Sequence, residues 1–187
     1  MKRKTVLHYV DNKKFYDEIV KYRKRVEEAK AQGKEEPRIP DYIGECIWKI
    51  SEKLSTKPCF INYSYREEMV SDAIENCILY FKDYDPDYNP SGNAEYKANP
   101  FAYFTQIVYF AFLRRINKEE KNRYIIYKNF QETVDMNLLM DSEDNSLISP
   151  MLYDNINHFM EKFERKEELK KAKRKQVKEG LDKFIED

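Results

Sequence analysis

The stretch KANPFAYFTQIVYFAFLRRINKEEK, residues 97–121, decides how this chain folds. Phe101, Tyr103, Phe104, Tyr109, Phe110 and Phe112 crowd six aromatic rings into twelve residues, and Arg114 and Arg115 follow at once. Asn99 is a strong N-cap residue, and Pro100 suits the first helical position, where its missing N–H would be unpaired anyway. At 3.6 residues per turn, Phe101, Phe104, Val108 and Ala111 fall on one face with Phe112 at its margin, which predicts a core stripe. Tyr103, Ile107, Phe110 and Arg114 form a second stripe. Chemistry alone leaves two readings of it open. The helix is buried on both sides, or the stripe is a stacking surface beside basic residues. Single-stranded bases stack on aromatic rings at ~1–3 kcal/mol per base, while Arg and Lys neutralise phosphates.

Upstream, the apolar spacing predicts three more helices. The first runs from about Asn12 to Gln32, capped by Asp11, with Phe15, Ile19, Tyr22 and Val26 at helical intervals and Gly33 as its stop. The second covers Asp41 to Ser55, with Ile43, Ile47, Ile50 and Leu54 on one face and Pro58 beyond it. Ser64 and Glu67 have capping-box spacing and open a third, through about Lys82, whose apolar face is Met69, Val70, Ala73, Cys77, Ile78 and Phe81. The turn-rich YDPDYNPSGN then leads to the aromatic helix.

Downstream, RYIIYKNF continues that helix or forms a short fifth one. Residues 131–149 are acidic and weakly periodic, and read as a linker. Ser149-Pro150 starts a last helix whose apolar seam is Leu152, Ile156, Phe159 and Phe163. From Glu164 to Lys178 it is almost wholly Lys, Arg and Glu, and Gly180 is its expected end. The expected architecture is all-α in four parts: a helix and loop over 1–40, a helical domain over 41–130, the acidic linker over 131–149 and a charged helix with tail over 150–187.

Composition agrees with helices. The chain is 36% charged with only 4 Gly and 7 Pro, too few turn residues for a sandwich or barrel. Formal charge balances at 34 basic and 34 acidic residues, but the charges are segregated. Arg114, Arg115, Lys118, Lys121 and Arg123 cluster, whereas residues 129–161 hold seven acids and neither Lys nor Arg. Cys46, Cys59 and Cys77 form no CxxC pair, and His8 and His158 lie far apart, so no metal site or disulfide is expected. Without a signal-peptide core or a span of transmembrane length, the chain reads as soluble and intracellular, with no membrane partner. No Gly-rich phosphate loop or nucleophile elbow occurs, so neither catalytic residue nor cofactor is assigned, and binding is the expected activity.

Two segments, REEMVSDAIENCILYFKDYDP (66–86) and NPFAYFTQIVYFAFLRRINKEEK (99–121), resemble region two of bacterial sigma factors. Over the whole chain the order of parts resembles the late-transcription sigma factors of tailed, myovirus-type bacteriophages, which carry region two without the promoter-distal helix-turn-helix domain. The resemblance is firmest over residues 41–128, and its most specific element is NP-x-AY-x-TQ…F-x-AF…RI-x-KE in residues 99–119.

The resemblance implies an all-α, sigma region-two-like domain and three partners in the cytoplasm of an infected bacterial host. Glu68, Asp72 and Glu75 occupy the helix that docks on the clamp helices of the largest subunit of core RNA polymerase. Tyr103 sits where the family stacks a flipped adenine of the non-template promoter strand, and Tyr84 matches a second aromatic of that pocket. Gln106 and Ile107 replace the tryptophan pair of primary sigma factors, which implies a weaker wedge; Phe110 continues the stripe. Arg114, Arg115 and Lys118 would contact phosphates at the upstream duplex edge. The ending GLDKFIED resembles the sliding-clamp-binding end of these factors, through Leu181, Phe184 and Ile185. Asp141, Glu143 and Asp144 lie where the family carries a linker that enters the polymerase cleft. Nothing after residue 130 reads as a second DNA-reading domain, which leaves room for a phage co-activator. The rival expectations are a helical repressor that binds duplex operator alone and an interaction adaptor without a nucleic-acid role.

Overall fold

The computed structural model of the chain describes residues 9–89, 98–140 and 150–185, with only the backbone course for 134–140, 150 and 177–185. Among the described residues it is all-helical: α1 (Asn12–Ala31), α2 (Asp41–Ser55), α3 (Arg66–Leu79), a 3₁₀ turn (Tyr80–Asp83), α4 (Pro100–Met140) and α5 (Pro150–Ile185). No strand occurs among them, and no helix among them is long and apolar enough to cross a membrane. The chain forms two compact units, Met1–Arg115 and Ile116–Asp187, and α4 contributes to both.

In the first unit, α1 begins where Asp11 accepts hydrogen bonds from the amides of Lys13 (3.0 Å) and Lys14 (3.1 Å), satisfying two orphan donors. Gly33, at φ 65°, adopts the left-handed conformation that ends it cheaply. The expected face of α2 is buried, and so is that of α1 as far as Tyr22, with Val26 only half-buried: Phe15, Ile19, Ile43 and Ile50 are fully enclosed, with Tyr22, Ile47 and Leu54 nearly so. Phe104 of α4 is the hub. Its ring meets Phe15 at 5.5 Å, Phe81 at 5.9 Å and Tyr84 at 6.0 Å, while Tyr22 meets Phe81 edge-on at 5.6 Å.

The third helix departs from expectation at both ends. Tyr65, not Ser64, holds the N-cap position, and no side chain caps the helix. Turns over 57–63 bury Phe60 edge-on against Phe112 at 5.1 Å, and the rings of Tyr63 and Tyr65 meet at 5.2 Å. That aromatic packing outweighs the local capping box and delays the helix to Arg66. Glu67 and Glu68 in the first turn still complement the helix dipole. At the other end α3 stops at Leu79 and tightens into the 3₁₀ turn, which buries Phe81 but leaves Ile78 half exposed. Arg23 of α1 secures this turn by donating to the carbonyls of Lys82 (3.0 Å) and Tyr84.

The second unit pairs the later part of α4 with α5. Tyr124 stacks on Phe163 at 4.7 Å, Tyr127 meets Phe159 at 5.5 Å, Gln131 bonds Asn157 and Glu120 pairs with Lys166. Partners rise in number on α4 as they fall on α5, so the two helices are antiparallel. Of the expected α5 seam, Ile156 is buried, Phe159 and Phe163 are half-buried and Leu152 is half exposed.

Two corrections follow. Residues 131–140, expected as part of the linker, continue α4 as helix, because QETVDMNLLM holds helix formers and neither Gly nor Pro; residues 141–149 lie outside the described residues. Gly180 does not end α5, which runs to Ile185. Mid-helix glycine costs only about 1 kcal/mol relative to alanine, and no proline follows to enforce a stop.

Candidate nucleic-acid interface

Asn99 sets the register of the aromatic helix. Its side chain accepts from the Ala102 amide at 3.1 Å and its carbonyl accepts from the Tyr103 amide at 3.1 Å, so the predicted cap is formed. From that start the core stripe points inward as expected: Phe104, Val108 and Phe112 are fully buried and Ala111 nearly so, with Phe101 half-buried at the edge. The second stripe is not buried. Tyr103 and Ile107 are half-buried, Gln106 and Arg114 are exposed, and Phe110 is 49% exposed. Of the two open readings of the opening stretch, the doubly buried helix is therefore set aside.

Tyr103 is held rather than loose. Its hydroxyl donates to the Tyr80 carbonyl at 3.0 Å, and its ring lies 5.1 Å from that of Tyr84. Burial, helped by Asp83, pushes its phenol above the ordinary tyrosine value, so it stays a neutral donor at any physiological pH. Tyr84 is only 2% exposed and donates its hydroxyl to the Ala98 carbonyl at 2.8 Å. In this conformation Tyr84 braces Tyr103 from behind and does not itself present a face for stacking.

The basic residues are less open than their sequence suggests. Arg115 grips Asp72 of α3 with two parallel bonds of 2.6 and 2.7 Å, and Arg114 donates to the Asn76 side chain at 2.6 Å. The structure thus joins a residue assigned to DNA with one assigned to the polymerase. Glu68 and Glu75 stay exposed on α3, whereas Asp72 between them turns to Arg115. Lys118, on the part of α4 in the second unit, is exposed. Leu181, Phe184 and Ile185 lie on helical backbone at i, i+3 and i+4, but their side chains are outside the described residues, as are Asp141, Glu143 and Asp144.

Sequence reasoning missed Leu79 and Tyr80, which are 68% and 39% exposed, and Tyr80 is the residue whose carbonyl holds Tyr103. It ran one helix through both, whereas Leu79 is the last residue of α3 and Tyr80 the first of the 3₁₀ turn. Tyr109, 43% exposed with its ring 5.9 Å from both Phe60 and Phe110, widens the apolar surface further. Among the described residues no cluster of three or more His, Cys, Asp or Glu could hold a metal. Cys46 and Cys77 are buried and their thiols pushed up by that burial, Cys77 to about 12, so neither is a reactive thiolate. No protein-family model and no curated protein matches the chain.

Proposed function

We propose that this protein is a sigma-type initiation factor, which binds bacterial core RNA polymerase and directs it to phage late promoters through a short A/T-rich element. The observation that carries the reading is the half-buried Tyr103 ring, fixed by Tyr80 and backed by buried Tyr84, on an aromatic stripe that ends in exposed Arg114. Extruding a base costs a few kcal/mol, and a ring already fixed in place recovers that by stacking without further ordering cost. Glu68 and Glu75 offer an exposed acidic face on α3 for the polymerase clamp helices. The α5 terminus carries the Leu181, Phe184 and Ile185 spacing for a sliding-clamp pocket. A tether of this kind raises effective concentration without new base contacts.

Run-off transcription with core polymerase on a late-promoter template, with and without sliding clamp, tests the reading. Specific transcripts are expected, lost in Tyr103→Ala, kept in Tyr103→Phe, and stimulated by clamp only while residues 181–187 are present. No transcript and no core binding by sedimentation would return the protein to the adaptor reading. Tight binding to duplex operator without polymerase would favour a repressor.

A further inference from the structure

In the second unit the back of α4 carries an exposed apolar pair. Glu120, Tyr124, Tyr127 and Gln131 turn towards α5. At 3.6 residues per turn, Asn122, Ile125, Ile126 and Asn129 fall on the opposite face. All four are exposed, Ile125 by 45% and Ile126 by 63%.

Single exposed apolar residues are ordinary, but these two stand at the centre of a mirrored pattern. Asn122 and Asn129 lie equally far to either side of the Ile125–Ile126 step. Further out the two ends differ in charge. Lys118 stands on one side, and its mirror position on the other is Thr133, with Glu132 next to it. These three are exposed as well.

The mirror says what covers this face. An antiparallel helix of the same sequence, related by a two-fold axis through the Ile125–Ile126 step, meets each residue with its counterpart. A partner of unrelated sequence has no use for such a pattern, and Glu132 at one end disfavours a polyanion. We infer that two copies of this chain associate through the back of α4, antiparallel and centred on Ile125 and Ile126. Ile125 of one copy opposes Ile126 of the other, and Asn122 opposes Asn129. A side-chain amide both donates and accepts, so each asparagine pair can bond reciprocally, and the two-fold axis makes two such pairs. Lys118 of each copy reaches Glu132 of the other, one residue from its strict counterpart.

Polar asparagines in the seam fix the register at a cost in affinity. With so few apolar side chains the contact stays below about 1,000 Å², in the range of weak and transient pairs. Glu132 also has Lys128 one turn away on its own helix, so the isoleucines contribute more than the charges. This association goes beyond the initiation-factor reading and meets it only at Lys118, which a paired copy would withhold from promoter phosphates.

Sedimentation velocity of the full-length protein, from low micromolar to near-millimolar concentration, tests the inference. Reducing buffer is used because Cys59 is exposed. The chain is expected to pass reversibly from monomer to dimer. In I125D/I126D the association should weaken by about tenfold or more, since carboxylates in the seam would lose their water, while circular dichroism shows undiminished helix. K118E and E132K should each weaken it by about 3- to 10-fold, because the two-fold axis breaks two exposed ion pairs at once. K118E/E132K should restore it. Within one copy these residues stand roughly 21 Å apart along the helix, so recovery reports contact between copies. A monomer at every concentration would overturn the inference. So would a dimer that I125D/I126D leaves intact, or a charge exchange that restores nothing.

Discussion

Arg115 and Asp72 meet as a fork on a fork: Nε reaches Oδ2 at 2.6 Å while Nη2 reaches Oδ1 at 2.7 Å, tying α4 to α3 across 43 residues of sequence. Both side chains are largely shielded from solvent, and bidentate geometry makes such a pair stronger than an ordinary surface ion pair. A double-mutant cycle with Asp72→Asn and Arg115→Gln is expected to give a coupling of about 1 kcal/mol from urea midpoints. A coupling near zero would mean that the two ends of the fork are independently replaceable.

The two stripes of the aromatic helix should separate in mutants. Phe104→Ala removes the hub of the first unit and is expected to cost about 3–5 kcal/mol of stability. Phe110→Ala, at a half-exposed position, should change stability by no more than about 0.5 kcal/mol. The same change should cost ~1–3 kcal/mol in binding to an A/T-rich single strand if a base stacks there. Equal loss of stability in both variants would show that the second stripe is core after all.

Hydroxyl removal distinguishes the bracing tyrosine from the presented one. Tyr84→Phe leaves the buried Ala98 carbonyl without its donor and should lower stability by about 1 kcal/mol. Tyr103→Phe frees a carbonyl that water can reach, since Tyr80 is 39% exposed, and should cost less. Thermal melts of the two variants side by side decide the order.

Alkaline pH should loosen the fold before it ionises the folded tyrosines. Tyr42 is raised to about 12, chiefly by burial and then by its hydrogen bond with Cys46, and Tyr22 and Tyr103 are raised as well. An unfolded tyrosine ionises near its ordinary value of 10.0. Above that pH the unfolded chain therefore holds fewer protons than the folded one, so stability falls as pH rises from about 10 towards 12. Tyr42→Phe should make that decline shallower in urea titrations. A decline of the same steepness would place its cause elsewhere.

Much of the fold was legible where local signals and burial point the same way. The apolar interval of Ile43, Ile47, Ile50 and Leu54 marked α2 from Asp41 to Ser55, and Asp11 and Asn99 cap the helices that their sequence context announced. Local rules failed where distant packing intervened. The spacing of Ser64 and Glu67 says nothing of Phe60, whose burial against Phe112 moves the start of α3. Continuous helical periodicity hid the 3₁₀ turn, and with it the exposure of Tyr80. The Asp72–Arg115 fork was invisible for the same reason. Each residue looks like an ordinary surface charge until the two helices are laid side by side.

The clasp formed by Arg23 has a reach beyond its own hydrogen bonds. From α1 it holds the carbonyls of Lys82 and Tyr84, Tyr84 backs Tyr103, and Phe15 of the same helix packs on the Phe104 hub. The segment that carries the aromatic stripe, from α2 to the arginines, therefore leans on a helix outside it. If this surface were transplanted into another protein, or pared down in the course of descent, α1 would have to travel with it. The smallest portable piece of this chain takes in α1 and, just before it, buried Val10 and the Tyr9 ring, which meets Phe101 at 5.7 Å.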